Sequence, residues 1–170
     1  MKIVVLNGSP RVGNTSATVN AFADGAKEAG HEVEILHVGK KKINGCLACE
    51  YCHMKGEGKC VQKDDMDKVY PAYAEAEMLV FASPIYYGSM TAQLTAAIQR
   101  MYAVGKPAKA SKAALLLNSG LGKEYKGPIA TYRDMISAMG IEDAGVCSVS
   151  AADCASEEKL AEIRTFAKGL

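Results

Sequence analysis

The sequence lacks several features that would assign it to large classes of proteins. It has no tryptophan, so an aromatic ring of a ligand would have to stack on tyrosine or phenylalanine. Its 20 lysine and arginine residues balance 19 aspartate and glutamate residues, which leaves no basic excess for nucleic acid or an anionic membrane surface. No apolar run is long enough for a signal peptide or a membrane span, and we therefore expect a cytoplasmic protein.

Two further absences narrow the class. No repeat or low-complexity segment interrupts the 170 residues. A chain of this length forms one domain that buries about 70% of its unfolded surface, and we expect a single domain over residues 1–170. The pattern G-x-G-x-x-G, typical of dinucleotide-binding folds, occurs nowhere, so a bound dinucleotide of the usual kind is not expected.

A strand, a loop and the start of a helix follow one another at the beginning of the chain. Residues 3–6 are a continuous and mostly β-branched apolar run, which is typical of a strand buried on both faces. Residues 7–13 break this run with proline and two glycines. From Asn14 apolar residues recur at helical spacing, and Gly30 is the expected end of that helix. Because a helix N-terminus presents unbonded N–H groups and partial positive charge, this junction predicts an anion site, most often for phosphate.

This loop matches the beginning of a nucleoside-triphosphate loop but departs from it at one position. Gly8 and Gly13 fit the pattern G-x-x-x-x-G-K-[ST], whereas Asn14 replaces the lysine that reaches the β- and γ-phosphates. The loop therefore suits a single compact phosphate better than a triphosphate. Its candidate ligands are Ser9, Arg11, Asn14, Thr15 and Ser16. The alternative is an ordinary capped helix that follows a turn.

The rest of the chain alternates between predicted strands and helices. Further strands are predicted at residues 32–38, 78–82, 113–117 and 145–149. Helices are predicted from Asp64 or Asp65 to about residue 76, with a kink or late start at Pro71, around residues 94–101, over residues 128–139, and after Ser156. Five strands alternating with five helices predict an α/β fold, with a doubly wound parallel sheet covered on both faces.

Ligands of such sheets bind outside the carboxyl ends of the strands, where the strand order reverses. Three loops should leave those ends, at residues 8–14, 83–89 and 118–122. The second reads Ser83-Pro84-Ile85-Tyr86-Tyr87-Gly88-Ser89, and the third contains Asn118, Ser119, Gly120 and Gly122. A phosphate loop beside two such loops predicts a planar ligand with a phosphate tail. Either Tyr86 or Tyr87 could flank the ring, and rim packing is the alternative for each.

Four of the six cysteines lie in residues 39–63, a segment without clear periodicity. Cys46, Cys49 and Cys52 form C-x2-C-x2-C, and Cys60 follows eight residues later. A reducing compartment disfavours disulfides. Structural zinc prefers two separated C-x-x-C pairs, whereas three close thiolates and a remote fourth suit a [4Fe–4S] cluster. Zinc and redox-active thiols remain alternatives, and His53 could replace one ligand, although an exposed loop position is simpler.

The remaining cysteines and histidines carry weaker signals. Cys147 lies in a predicted strand and is expected to pack in the interior. No role is assigned to Cys154. His31 and His37 flank the second predicted strand and are expected at the surface.

Three stretches resemble one known family. Residues 8–16 resemble the phosphate loop of the NADPH-dependent FMN reductases, within the flavodoxin-like superfamily, and residues 83–89 resemble the second flavin loop of that family. The four clustered cysteines followed by Asp64-Asp65-Met66 resemble its iron–sulfur flavoprotein branch. The resemblance covers nearly the whole chain in matching order. One departure is Gln99, where the family usually carries aspartate before the arginine, and it affects a helix-end contact rather than the flavin site.

The resemblance implies a five-stranded flavodoxin-like sheet of order 2-1-3-4-5 that binds FMN noncovalently. It also implies a homodimer or homotetramer with the flavin near a subunit interface. The residues expected to contact FMN are Ser9, Arg11, Asn14, Thr15, Ser16, Pro84, Ile85, Tyr86, Tyr87, Gly88, Asn118, Ser119 and Gly120. Those expected to hold a [4Fe–4S] cluster are Cys46, Cys49, Cys52 and Cys60.

The implied function is that of an FMN-dependent oxidoreductase. It would transfer electrons from NAD(P)H or a ferredoxin-like donor to a small acceptor such as a quinone, a flavin or a nitro compound. The flavin carries the electron chemistry, so no side chain is nominated as catalytic. Two alternatives remain, an electron-carrier flavoprotein without turnover and a flavin-free phosphate-binding domain with a zinc site.

Overall fold

The computed structural model describes residues 1–121, 125–153 and 156–170, so Gly122 and Cys154 lie outside the described residues. Its centre is a parallel sheet of five strands in the order β2-β1-β3-β4-β5, which confirms the predicted flavodoxin-like order. The strands are β1 (Lys2–Asn7), β2 (Glu32–Leu36), β3 (Met78–Pro84), β4 (Lys112–Ser119) and β5 (Glu142–Ser150). The strand order reverses beside β1, since β2 lies on one side of it and β3 on the other.

Helices cover both faces of the sheet. They are α1 (Asn14–Glu28), α2 (Tyr51–Met54), α3 (Tyr70–Ala74), α4 (Ala92–Arg100), α5 (Lys126–Ala138) and α6 (Glu157–Lys168). α1 and α6 pack on one face, while α3, α4 and α5 pack on the other. Within the described ranges, no helix is long and apolar enough to cross a membrane.

The first strand shows why an unbroken apolar run was needed. Ile3 and Val5 belong to the core beneath α1 and α6, whereas Val4 and Leu6 belong to the core beneath α3, α4 and α5. All four side chains are fully buried. A central strand of a parallel sheet is covered on both faces, so successive residues must all be apolar.

The predicted helix after Asp64 is broken into two pieces. A 3-10 turn occupies Asp65–Lys68, and α3 begins at Tyr70 with Pro71 in its first turn. Proline has no N–H to donate and is tolerated only in the first turn, which confirms the predicted late start. Other boundaries also differ, since β2 ends at Leu36 and β5 begins at Glu142.

The cysteine-rich segment, which shows no clear periodicity in the sequence, is mostly irregular but includes one short helix. The short helix α2 forms there, and it contains Cys52 and His53. A single turn of helix is too short to produce a detectable apolar periodicity, so the sequence gives no signal for it.

Three isolated predictions have clear outcomes. Cys147 is half-buried against the core beneath α1 and α6, and burial raises the pKa of its thiol to about 11, which confirms a packing role. His37 is exposed as expected. His31 was expected at the surface and is half-buried, and its Nδ1 lies 3.1 Å from the amino-terminal nitrogen of Met1. Burial, followed by the charge of that amine, lowers the pKa of His31.

Candidate functional site

The loops that leave β1, β3 and β4 meet around one cavity of about 200 Å³ at the carboxyl edge of the sheet. Ten of the thirteen residues predicted to contact FMN line this cavity, and the other three are Ser16, Tyr87 and Gly88. Ala151, which follows β5, also lines it and was not predicted. The lining residues are Ser9, Arg11, Asn14, Thr15, Pro84, Ile85, Tyr86, Asn118, Ser119, Gly120 and Ala151. We call this the sheet-edge cavity.

The first turn of α1 faces the cavity with unused backbone donors. Gly13 precedes the helix and offers no side-chain cap, and its carbonyl accepts the first helical bond, from the Ala17 amide at 3.0 Å. The amides of Asn14, Thr15 and Ser16 therefore precede the helical hydrogen bonds. Ser16 is half-buried and is not among the residues that line the cavity, and its contact with a phosphate stays a prediction.

The phosphate loop is shaped by its own hydrogen bonds. The Ser9 amide donates to Asn7 Oδ1 at 2.9 Å, and the Ser9 hydroxyl donates to the Arg11 carbonyl at 2.8 Å. The hydroxyl proton of Ser9 thus holds the shape of the loop, while Ser9 also lines the cavity, and its contact with a phosphate stays a prediction. Arg11 itself is exposed and lines the cavity. None of the described lining residues is acidic, so the cavity is electrostatically suited to an anion.

Asn118 joins the end of β4 to the first helix. Its Nδ2 donates to Thr18 Oγ1 at 2.9 Å, and the Thr18 hydroxyl donates to the Asn14 carbonyl at 3.2 Å. Asn118 Oδ1 is buried and has no hydrogen-bond partner within the protein. An unsatisfied buried acceptor costs about 1–3 kcal/mol. A ligand that presents an N–H or O–H group in this cavity would satisfy it, as the ring and ribityl chain of FMN can.

The second flavin loop closes on itself in a tight turn. Tyr86 and Ser89 exchange two backbone bonds of 2.9 and 3.1 Å, and the two residues between them both have positive φ, 51° at Tyr87 and 81° at Gly88. This is the geometry of a type I′ turn. The Ile85 amide donates to the Asn118 carbonyl at 2.8 Å. The amides of Ile85 and Tyr86 are therefore already used within the protein, and the contact of this loop with a flavin stays a prediction.

The two tyrosines of this turn occupy different environments. Tyr86 lines the cavity and is 43% exposed, whereas Tyr87 lies fully exposed at the tip of the turn. Tyr86 is therefore the tyrosine placed to flank a ring. Gly88 lines a neighbouring pocket with Met90 and Pro128 rather than the sheet-edge cavity.

α4 joins the sheet-edge cavity to the cysteine segment. At its beginning, the Thr91 hydroxyl donates to the Gly8 carbonyl at 2.8 Å, and the Thr91 amide donates to Ser83 Oγ at 2.9 Å. A Cβ atom on Gly8 would lie 2.6 Å from Leu94 Cβ, so only glycine permits this close approach. At its other end, α4 places Arg100 beside the cysteines.

The four predicted cluster ligands line one small pocket together with Arg100 and Tyr102. We call it the cysteine pocket, and its cysteines are Cys46, Cys49, Cys52 and Cys60. Cys46 and Cys49 are exposed, whereas Cys52 and Cys60 are half-buried. The Ala48 amide lies 3.4 Å from the Cys46 sulfur, where it can stabilise a thiolate.

Among the residues that the structure describes, no three His, Cys, Asp or Glu side chains are close enough to hold a single metal ion. A single zinc ion requires all its ligands to converge on one point, whereas each thiolate of a [4Fe–4S] cluster binds a different iron.

His53, the alternative ligand, contacts Tyr102. Its Nε2 lies 3.0 Å from the Tyr102 carbonyl oxygen, and its ring stacks edge-on against the Tyr102 ring at a centroid distance of 4.6 Å. The Tyr102 hydroxyl in turn donates to Glu50 at 3.2 Å. These contacts attach α2 to the 3-10 turn Met101–Ala103, and His53 is exposed, as the simpler interpretation held.

A buried ion pair closes the base of the cysteine segment. Arg100 Nη1 lies 2.6 Å from Asp64 Oδ2, and the two side chains are only 1% and 7% exposed. Asp64 also accepts the Asn44 amide at 3.0 Å and the Met66 amide at 3.0 Å. Burial acts to raise the pKa of the Asp64 carboxyl, but the hydrogen bonds from Arg100, Asn44 and Met66 outweigh it and lower the pKa.

Sequence reasoning missed the role of Arg100. The residue was noted only as the neighbour of Gln99, which is exposed in the structure. A signal was nevertheless present, because Arg100 follows Leu94 and Ala97 at three-residue intervals on the buried face of α4. A charge on an apolar helix face indicates a buried partner.

Backbone strain is concentrated in the two regions just described. Among the described residues, positive φ outside glycine occurs at Ala48, Glu50, Glu57 and Tyr87. The first three lie in the cysteine segment and the fourth in the second flavin loop. Such conformations cost roughly 1–3 kcal/mol each and cluster at functional sites.

Comparison with known proteins finds relatives that are named iron–sulfur flavoproteins. The chain is 38% identical over 150 residues to an iron–sulfur flavoprotein of Archaeoglobus fulgidus, covering 85% of this chain and 66% of the relative. It is 41% identical over 104 residues to an iron–sulfur flavoprotein of Methanocaldococcus jannaschii, covering 61% of this chain and 52% of the relative. The match thus spans between half and two thirds of the length of these relatives.

Solved structures with the same fold are more distant in sequence. An azoreductase from Bacillus anthracis superposes with a TM-score of 0.70 at 18% identity, covering 100% of both chains. An NAD(P)H:quinone oxidoreductase from Methanothermobacter marburgensis superposes with a TM-score of 0.69 at 18% identity, covering 99% of this chain and 95% of that one. At such identities the likeness concerns the fold alone. The profile of the family described as NADPH-dependent FMN reductase, however, matches residues 1–152, and the chain therefore belongs to that family.

Proposed function

We propose that the chain binds FMN in the sheet-edge cavity and acts as an FMN-dependent oxidoreductase. The observation that carries this proposal is the convergence of three loops on one cavity at the reversal of strand order. The first loop leads into the N-terminus of α1, which can bind a phosphate. The other two loops place Tyr86 and the buried acceptor Asn118 Oδ1 where they can contact a ring. A planar ligand with a single phosphate tail fits this combination.

The phosphate is assigned to the amino end of α1. The amides of Asn14, Thr15 and Ser16 donate to its oxygens, and the positive end of the helix dipole favours its charge. Arg11 adds a charge-assisted hydrogen bond from the rim of the cavity. The short side chain of Asn14, in place of a lysine, leaves room for one phosphate group.

The ring is assigned to the space between residues 84–86 and residues 118–120. Asn118 Oδ1 accepts a hydrogen bond from the bound molecule, which removes the cost of its unsatisfied burial. Tyr86 flanks the ring. When bound, FMN supplies hydride and electron transfer. None of the described lining residues is Asp, Glu, His or Cys, so we assign no acid–base role to a side chain.

For the cysteine pocket we propose a [4Fe–4S] cluster held by Cys46, Cys49, Cys52 and Cys60. Three features support it: the gathering of the four thiols around one pocket, the Ala48 amide beside the Cys46 sulfur, and the names of the curated relatives. A cluster accepts single electrons, so a ferredoxin-like donor is the matching partner. A reducing, cytoplasmic location keeps the thiols available for iron.

The family and the open cavity support particular classes of reductant and acceptor. We propose NAD(P)H as the alternative two-electron reductant and a quinone, a flavin or a nitro compound as the acceptor. Because no separate nucleotide site is assigned, donor and acceptor take turns over the same exposed ring. Ping-pong kinetics follow from this arrangement.

We also propose that the chain forms a homodimer or homotetramer. Exposed apolar side chains are concentrated around the cysteine segment, where Leu47 is 65% exposed, Met54 74% and Tyr102 51%. Apolar groups gathered in one surface region are typical of an interface. Light scattering of the FMN-loaded protein would show a mass of at least twice 18.0 kDa, whereas a monomer would contradict the proposal.

The enzyme proposal is tested by steady-state oxidation of NAD(P)H. Protein purified anaerobically and loaded with FMN should oxidise NADH or NADPH continuously when a quinone is added. Double-reciprocal plots at several quinone concentrations should be parallel. A single stoichiometric reduction of the flavin without turnover would identify an electron carrier and contradict the assignment as an enzyme.

A further inference from the structure

α4 ends at Arg100, a charged residue whose side chain is buried. Its side chain is 1% exposed and lines the cysteine pocket together with all four proposed cluster ligands. A charged side chain in such a position requires partners for its hydrogen-bond donors.

The two terminal nitrogens hold the two sides of the cysteine segment together. Nη1 donates to Asp64 at 2.6 Å and to the Asn44 carbonyl at 3.2 Å, and Nη2 donates to the Gln62 carbonyl at 3.4 Å. Asn44 precedes the first clustered cysteine, and Gln62 follows the last. One side chain thus ties the segment at both of its ends to the end of α4.

The remaining nitrogen has no partner. Arg100 Nε is buried and has no hydrogen-bond partner within the protein, the cysteine sulfurs included, so its N–H is available to a group bound in the pocket. The Asp64 carboxylate is already engaged by Arg100 Nη1 and by two backbone amides, those of Asn44 and Met66. A buried, charged N–H donor in a pocket lined by four sulfur atoms has the chemistry to bind sulfur. Thiolate and inorganic sulfide both accept hydrogen bonds from such donors.

We infer that Arg100 is a positioning residue for the group in the cysteine pocket, with Nε–H donating to one of its sulfur atoms while both terminal nitrogens close the base of the segment. The inference rests on the proposed [4Fe–4S] cluster. Hydrogen bonds to sulfur, together with net charge, set the reduction potential of such clusters. Arg100 therefore makes the cluster easier to reduce.

The matched variants are Arg100→Lys and Arg133→Lys. Lysine at position 100 keeps a positive charge near Asp64 but removes Nε–H and the fork that reaches both ends of the segment. Arg133 forms an ion pair with Asp143, its side chain is 61% exposed, and it does not line the cysteine pocket, so it controls for the exchange of arginine for lysine itself. All proteins are loaded anaerobically with iron, sulfide and FMN.

The first measurement is the midpoint potential of the cluster, followed by its paramagnetic signal during a redox titration. We expect the Arg100→Lys potential to be shifted to more negative values, with the FMN content unchanged and with Arg133→Lys identical to the wild type. A merely structural role for Arg100 would alter the amount of cluster but not the potential of the cluster that remains. An unshifted potential in Arg100→Lys would overturn the inference.

A second measurement uses the wild-type protein and does not depend on the folding of a variant. Protein labelled with ¹⁵N-arginine should show a ¹⁵N hyperfine coupling in the electron spin echo of the reduced cluster, and the Arg133→Lys protein should retain it. Absence of any arginine coupling in a protein that holds its cluster would overturn the inference alone. Failure of the wild type to bind iron and sulfide would overturn the proposed cluster and the inference with it.

Discussion

The side-chain amide of Asn118, at the end of β4, donates to the Thr18 hydroxyl on α1 at 2.9 Å, although 100 positions separate the two residues in the chain. Thr18 passes this contact on to the Asn14 carbonyl at 3.2 Å. Through Nδ2, Asn118 therefore fixes the first turn of the helix that we assign to the phosphate. Its Oδ1 is buried without a hydrogen-bond partner and can accept a hydrogen bond from a ligand. The amide nitrogen and the amide oxygen of Asn118 therefore have different functions, which variants of Asn118 and Thr18 test.

Asn118→Ala removes both the proposed FMN acceptor and the donor to Thr18, whereas Thr18→Val keeps the acceptor and removes the hydrogen bonds of Thr18 with Asn118 and with the Asn14 carbonyl. We expect Asn118→Ala to weaken FMN binding about tenfold, the value of one lost hydrogen bond. Thr18→Val should lower the free energy of unfolding by about 1–3 kcal/mol, because Asn118 Nδ2 becomes an unsatisfied buried donor. Fluorescence titration and urea unfolding measure the two effects. Unchanged FMN affinity in Asn118→Ala would refute the assigned contact.

Arg11→Gln tests the charge at the cavity rim. The substitution removes the charge-assisted bond to the phosphate and should weaken FMN binding about tenfold at low salt. Riboflavin lacks the phosphate, so its binding should not change. Added salt should reduce the difference between wild type and variant, since Arg11 is exposed. Equal losses for FMN and riboflavin would show that Arg11 acts on the loop rather than on the phosphate.

Gly88→Ala tests the tight turn of the second flavin loop. Gly88 has φ 81°, a conformation in which a Cβ costs roughly 1–2 kcal/mol, so the variant should be destabilised by about that amount in urea. The matched control is Gly127→Ala, within α5, where an added Cβ meets nothing within 4 Å. There alanine should stabilise the protein by about 0.5–1 kcal/mol. The same sign for both variants would contradict the turn geometry.

Cys60→Ser and Cys147→Ser separate cluster ligands from packing. Cys60 lines the cysteine pocket, whereas Cys147 is half-buried against the core. After anaerobic reconstitution, Cys60→Ser should lose at least half of its bound iron and acid-labile sulfide, and Cys147→Ser should match the wild type. Iron content that depends equally on both cysteines would argue against the proposed ligand set.

The Asp64–Arg100 pair predicts a pH dependence of stability. Hydrogen bonds lower the pKa of Asp64 in the folded protein, so its contribution is complete above the pKa of the unfolded state, near ~4. That contribution is lost as the pH falls through the lowered folded pKa. Urea unfolding between pH 7 and pH 2.5 should show a steeper loss for wild type than for Asp64→Asn. The control is Asp134→Asn, which changes an exposed carboxylate on α5 and should change the slope little. Identical slopes for wild type and Asp64→Asn would contradict this linkage.

Much of the fold could be predicted because its signals are local. The apolar run at residues 3–6, the late helix start at Pro71 and the stop at Gly30 depend on residues next to one another. Gly30 indeed has φ 84°, and the following amide bonds back to Ala26 at 3.0 Å. The cavity lining could be predicted for a similar reason, since parallel strands place their carboxyl ends at one edge.

The contacts that could not be predicted join distant parts of the chain. Arg100 and Asp64 are 36 positions apart, and no pattern in the sequence pairs them. The left-handed conformations at Ala48 and Glu50 are equally hidden, because neither residue type favours them. The hydrogen bonds of the Ile85 and Tyr86 amides could not be predicted either, because they depend on the conformation of the second flavin loop.

The most direct test of the account is a fluorescence titration of the anaerobically prepared, flavin-free protein with FMN and, in parallel, with riboflavin. The account predicts one FMN per chain bound at micromolar or lower concentration, with riboflavin at least about tenfold weaker because it lacks the phosphate held at α1. A protein that binds neither compound, or binds both equally, would contradict the assignment of the sheet-edge cavity to FMN.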